Sequence, residues 1–175
     1  MRQFATALVF AAAAMLGGVS HAADTVPAYI GKHVTSQQDT DAINKIIQDF
    51  QAAIIKKDQK LLSTLVLNSN ILFDAPADPK FIAEVRNKLD VTFDGLRSGG
   101  FNDFARFIAT SKEPVEEKFY NVKITQDGHV AWVMFDYEFQ IGGKTQNHGI
   151  ETWQMMKNAD NQWKIASVMW TMNRP

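Results

Sequence analysis

"HVAWVMFDYEFQI", residues 129–141, alternates without a break. Ala131, Val133, Phe135, Tyr137, Phe139 and Ile141 fall on one side of an extended chain, with Val130, Trp132, Met134, Asp136, Glu138 and Gln140 on the other. Successive side chains of a strand point to opposite faces, so the first set is the side of a sheet turned toward a core. Asp136 and Glu138 lie opposite it, where solvation rather than paired acid–base work is expected. Trp132 and Met134 beside them are candidates for a homodimer contact, because exposed apolar groups on a sheet mark interaction surfaces.

The same period governs the chain from Glu116 onward. "EKFYNVKIT", "TQNHGIETWQMMK" and "QWKIASVMWTM" are strand-like runs, and "QDG", "GGK" and "NADN" between the runs have hairpin-turn composition. Within the third run, His148 and Glu151 are three apart and therefore face opposite sides; they cannot form a dyad. Their faces depend on the last hairpin. Pairing Lys157 with Gln162 sets Glu151 opposite Val168, whereas pairing Asn158 with Gln162 sets His148 opposite Met172 and Ile150 opposite Trp170. His148 is then either an ordinary hydrogen-bonded or exposed histidine or a proton-transfer group.

Upstream the period is helical. Ile43, Ile46, Ile47, Phe50 and Ile54 recur at steps of three and four, with Thr40 or Asp41 as cap. A break near Asp58 precedes a shorter helix through Leu61, Leu62 and Leu65, and "NILFDAP" reads as a short strand stopped by Pro76. Asp78-Pro79 opens a third helix, whose spacing through Ile82, Val85, Leu89, Phe93 and Leu96 runs to Gly99-Gly100. A short helix from Asn102 to about Thr110 follows. Helices first and an antiparallel meander last define an α+β domain with the sheet against the helices.

The chain has 175 residues, a formal charge of -1 and no cysteine. Its first 22 residues have the form of a secretory signal: Arg2 is the only charge, an apolar stretch spans Phe4 to Leu16, and Ser20-His21-Ala22 makes a small-x-small cleavage site. The expected division is 1–22 signal peptide, 23–38 partly ordered lead-in and 39–175 a single domain, exported and periplasmic. The apolar stretch is shorter than the roughly 20 residues a spanning helix needs, so no membrane insertion is expected. Scattered Lys and Arg give no electrostatic reason to expect nucleic acid. Without cysteine there is no disulfide framework, and core packing alone must hold the fold. Phosphate-loop, serine-elbow and metal-spaced histidine motifs are absent from the sequence, so no cofactor and no metal are expected.

"INKIIQDFQAAIIKKDQKLLSTLVLNSNILFDAP", followed much later by "HGIETWQMMKNADNQWKIASVMWTMN", resembles the nuclear transport factor 2-like superfamily. The first segment is similar to its opening helix, its helix break (here Lys57-Asp58) and first strand; the second is similar to its final hairpin, ending in Trp170. The nearest likeness is to exported SnoaL-like and lumazine-binding-like groups. The resemblance implies a cone: N-terminal helices packed in a strongly bent antiparallel sheet, with a cavity at the wide end. It also implies that Asp74 in "LFDAP" stands where ketosteroid isomerases have a general-base aspartate, although an Asp before "AP" is equally a turn former. Phe50 stands where that pattern has a hydrogen-bonding tyrosine, and phenylalanine has no such donor.

All five methionines after residue 22 and all four tryptophans fall in the last three runs, residues that fill a core or line an adaptable pocket. The first expectation is thus a domain binding an apolar or aromatic small molecule, with Phe50, Tyr120, Tyr137, Glu151 and Trp170 as contacts. The alternatives are an isomerase-, cyclase- or dehydratase-type enzyme, with Asp74 as base and His148 or Tyr120 as proton partner, and a dimeric interaction module.

Overall fold

Ser36 starts the first helix: its Oγ accepts the Asp39 N–H at 3.0 Å, satisfying one of the donors that a helix start leaves unpaired. Helix α1 (Gln37–Lys56) therefore begins before the expected Thr40/Asp41 cap. This computed structural model describes residues 26–96 and 99–175. The expected signal peptide lies outside the described residues. Residues 26–32 belong to a separate unit and carry a turn in which Ile30 N–H donates to the Pro27 carbonyl at 3.0 Å; the domain proper is His33–Pro175.

Helix α1 buries Ile43, Ile47, Phe50, Ala53 and Ile54, as its spacing predicts. Lys57 ends it in the left-handed conformation (φ 56°), and Asp58 caps α2 (Gln59–Leu65) by accepting Leu61 N–H at 2.9 Å. Strand β1 (Leu72–Asp74) follows, then α3 (Pro79–Lys88), with Asp78 as its cap and proline in its first turn. Helix α3 stops well short of Gly99, contrary to the spacing. Asp90 accepts Thr92 N–H at 2.8 Å and Asp94 accepts Leu96 N–H at 2.8 Å, local bonds that compete with the helical ladder. Helix α4 (Phe101–Thr110) forms as expected.

Four long strands complete the domain: β2 (Val115–Gln126), β3 (Val130–Ile141), β4 (Lys144–Lys157) and β5 (Trp163–Trp170). The sheet order is β1-β5-β4-β3-β2. It is not wholly antiparallel as expected: β1 joins β5 in parallel, Phe73 beside Val168. The face of β3 carrying Ala131, Val133, Phe135 and Tyr137 is buried and turned to the core, whereas Trp132 and Met134 are exposed on the other. Each β2–β3, β3–β4 and β4–β5 ladder carries one register shift, and such bulges bend and twist a sheet.

The β4–β5 shift settles the hairpin. Near the turn, Asn158 N–H donates to Gln162 O at 2.9 Å, the shorter-loop alternative. Between Met155↔Ile165 and Gln154↔Ser167 the β5 strand then advances by two residues for one on β4, so Ala166 is the extra residue. Glu151 consequently faces Trp170, and His148 bridges Asn173 instead of Met172. Neither register expected from the turn alone runs the whole length.

The start of α1 is tied to this hairpin. Lys157 Nζ is 2.5 Å from Asp39 Oδ1, and the Trp163 indole N–H donates to the same oxygen at 2.9 Å. The Lys157 bond, and then the Trp163 bond, lower Asp39 from its ordinary 3.8 to about 2. A depressed carboxylate stabilises the fold above its unfolded pKa, and that contribution disappears as the pH falls from about 4 toward 2. Asp39→Ala should cost about 1–2 kcal/mol at pH 7, and nearly nothing at pH 2. Urea melts at both pH values check this; equal losses at both would remove the ionic explanation.

Candidate functional site

Inward-facing residues of all five strands leave space on the helix-covered face of the sheet. Between them lies a cavity of about 420 Å³, walled by Phe73 on β1, Phe104 and Phe107 on α4, Phe139 on β3, Trp170 on β5 and Met172 beyond it. Phe73 sets the aromatic corner, its ring centroid 4.7 Å from Phe104 and 5.2 Å from Trp170. An adjoining compartment of about 280 Å³ shares Phe73, Phe104 and Trp170 and adds Asp74, Gly99 and Gly100.

Polar groups enter this apolar space from alternate positions of three strands. Glu117 on β2, Tyr137 on β3, and Asn147 and Glu151 on β4 all line it, with Asp103 of α4. Glu117 is registered with Phe139, Phe139 with Asn147, and Glu151 with both Phe135 and Trp170, so one inner face carries them all. A charged side chain on that face is unusual, since acidic residues are rarely fully buried unless paired. Here Glu117 and Glu151 are only 6% and 3% exposed.

Their surroundings differ. Glu151 Oε1 accepts the Trp153 indole N–H at 2.6 Å. The Glu117 carboxyl has no hydrogen bond or ion pair with any described residue, although its backbone carbonyl accepts from Gln51 Nε2 at 3.1 Å. Burial, and then the nearby Glu151, push the Glu117 carboxyl well above the usual carboxylate range. Burial also raises Glu151 to about 8, against the lowering effect of the Trp153 bond. At neutral pH Glu151 is therefore mainly protonated, and a protonated carboxyl donates as well as accepts.

Tyr137 is fixed more tightly. Its Oη lies 2.7 Å from Asn147 Oδ1 and 2.8 Å from the Thr171 carbonyl oxygen. One phenolic proton cannot serve both; donation to Thr171, with the Asn147 amide turned to donate to the phenol, satisfies all three groups. Burial, followed by Glu151 and Glu117, raises the Tyr137 pKa, so the phenol stays neutral. Gly149 allows the segment after β5 to approach: a Cβ there would come within 2.6 Å of the Thr171 carbonyl oxygen. That approach accompanies the bridge that seats Asn173 against His148.

Of the expected contacts, Tyr137, Glu151 and Trp170 therefore line the main cavity. Asp74 borders the adjoining compartment, and its Oδ1 accepts the N–H of the next residue, Ala75, at 2.8 Å. Phe50 is not a cavity contact. It is fully buried, with ring centroids 5.9 Å from Phe104 and 5.0 Å from Trp153. Tyr120 lies on the outer face, about half exposed, its hydroxyl 3.5 Å from Glu138 Oε2. His148 is exposed on that face as well, registered with Glu138. Strand alternation puts His148 and Tyr120 across the sheet from the cavity, so neither meets Asp74 as a proton partner. Glu117 and Asn147 are polar cavity residues that strand patterning did not suggest; the signal for Glu117 was its place two residues before Phe119 on the inward face.

No protein-family model and no curated relative matches the chain. Solved structures do. A nuclear transport factor 2-like superfamily protein from Salmonella enterica serovar Typhimurium is 22% identical, with a TM-score of 0.55 over 79% of this chain and 94% of that one. A protein of unknown function with the same fold, from Shewanella baltica, is 14% identical, with a TM-score of 0.57 over 81% of this chain and 99% of that one. A conserved protein from Planctomyces limnophilus is 15% identical, with a TM-score of 0.58 over 80% of this chain and all (100%) of that one. At such identities the likeness concerns fold alone.

Proposed function

Because this chain has the nuclear transport factor 2-like fold, with helices packed on one face of an open mixed sheet, we propose that it is a small-molecule-binding domain. The observation that carries this reading is the cavity of about 420 Å³, within the size range of ligand pockets, whose apolar walls surround a few convergent polar groups. An apolar or aromatic molecule would place its body against Phe73, Phe104, Phe139 and Trp170 and its polar end toward Glu117, Glu151 and Asn147. The form of residues 1–22 supports action outside the cytoplasm, in the periplasm, after cleavage near Ala22.

An isomerase-, cyclase- or dehydratase-type reaction with Asp74 as base is a second reading, favoured by the compartment that joins Asp74 to the cavity. It is the weaker of the two, because Asp74 spends an oxygen on its own turn. Self-association is a compatible property: Trp132, Met134, Ile150 and Met169 expose apolar surface on the outer face, as a homodimer contact requires.

Native mass spectrometry of the protein purified from the cells that make it tests the binding reading. The expected spectrum shows a small-molecule adduct that is lost on denaturation, on a chain beginning at Ala23 or close to it. A bare chain mass under gentle conditions would count against a resident ligand. The same spectrum reads the monomer–dimer ratio.

A further inference from the structure

The walls of the cavity are aromatic and acidic at once. Five aromatic side chains besides Tyr137 line it, together with the buried Glu117 and Glu151 and with Asp103, and no Lys, Arg or His is among its lining residues. Such a combination suits positive charge: aromatic faces attract cations, most strongly where water is excluded. Glu117 adds an independent observation. Its carboxyl is more than nine-tenths buried, borders the cavity and has no hydrogen-bond or ionic partner among the described residues. A polar group held in that state incurs a desolvation cost that a bound partner would offset.

Resting on the binding reading above, we propose that the cavity takes an organic cation, a protonated or quaternary amine on an apolar or aromatic body, with its charge against Glu117 and Glu151. Among the described residues no three His, Asp or Glu side chains are placed to hold a metal ion, which favours an organic cation over a metal. The other titratable groups facing the pair are Tyr137 from β3 and Asp103 from α4, and Asp103 is already engaged by Arg106 at 2.5 Å. Asp74 of β1 stands in the adjoining compartment, and neither α1 nor β5 presents a titratable side chain to the cavity.

The proton balance follows. A quaternary ammonium has no proton to give, so when it enters, a neutral carboxyl of the pair ionises and releases its proton to solvent. Affinity therefore rises with pH until that carboxyl is already ionised in the free protein.

Calorimetric titration with benzyltrimethylammonium and with benzyl alcohol, at pH 6, 7 and 8 and in buffers of different ionisation enthalpy, tests this. At pH 8 the ammonium should bind at least about 10-fold tighter than the alcohol, with affinity rising from pH 6 and a proton released. Glu117→Gln should erase most of that preference, and a variant that keeps the preference in full would overturn the assignment of the charge to Glu117. Should that variant not fold, the pH dependence and proton release of the unaltered protein decide alone. Equal affinity for the two probes would overturn the cation assignment and leave the binding reading standing. Failure of both probes to bind would overturn the two together.

Discussion

Raising the pH from 5 to 8 should destabilise this protein, by up to about 1.4 kcal/mol per pH unit for each buried carboxyl that ionises over that range. Glu151, raised by burial from 4.5 to about 8, binds more protons in the folded chain than in the unfolded one between those values. Its contribution is fully present below pH 4.5, shrinks as the pH climbs and levels off beyond about 8. Glu117, pushed up by burial and by Glu151, acts in the same direction. Glu151→Gln should flatten the profile and make the variant about 2 kcal/mol or more stable than the unaltered protein at pH 8. Urea melts at pH 5, 6.5 and 8 supply the comparison; parallel profiles would mean that the cavity hydrates these acids fully. Asp39 acts with the opposite sign at lower pH, so maximal stability falls in mildly acidic solution.

Phe50→Ala should cost about 3–5 kcal/mol. The ring has no exposed surface, and besides Phe104 and Trp153 it meets Phe119 at a centroid distance of 6.3 Å. Removing it leaves a hole where α1, α4 and the sheet meet. A residue whose task is ligand contact behaves otherwise, losing affinity while the melting curve hardly moves. Chemical denaturation combined with a binding titration separates the two cases, and an unchanged midpoint would return Phe50 to the cavity wall.

Much of this arrangement was legible because burial imposes a period. Ile43, Ile47, Phe50 and Ile54 marked the inward stripe of α1, and Ala131 to Tyr137 the inward face of β3. Residues that break the period were not legible. In "QWKIASVMWTM" strict alternation puts Ile165 and Val168 on opposite faces, yet both are buried on the same one because Ala166 is bulged out. That one residue decides that Trp170 looks into the cavity. Glu117 escaped notice for another reason: a carboxylate in a strand is read as solvated, and only the surrounding cavity explains one turned inward. The apolar spacing past Leu89 misled in the reverse direction, since Leu89 and Leu96 continue the helical spacing but remain exposed.

The parallel pairing of β1 with β5 also bears on how the domain assembles in time. The β2–β3–β4–β5 meander joins neighbours in sequence through short turns, contacts that close early at small entropic cost. β1 must instead find a partner at the far end of the domain, Phe73 beside Val168. Phe73 lines both the main cavity and its side compartment. Helices and meander can thus be in place while the binding chamber is still open on one side, and competence to bind waits on this long-range pairing.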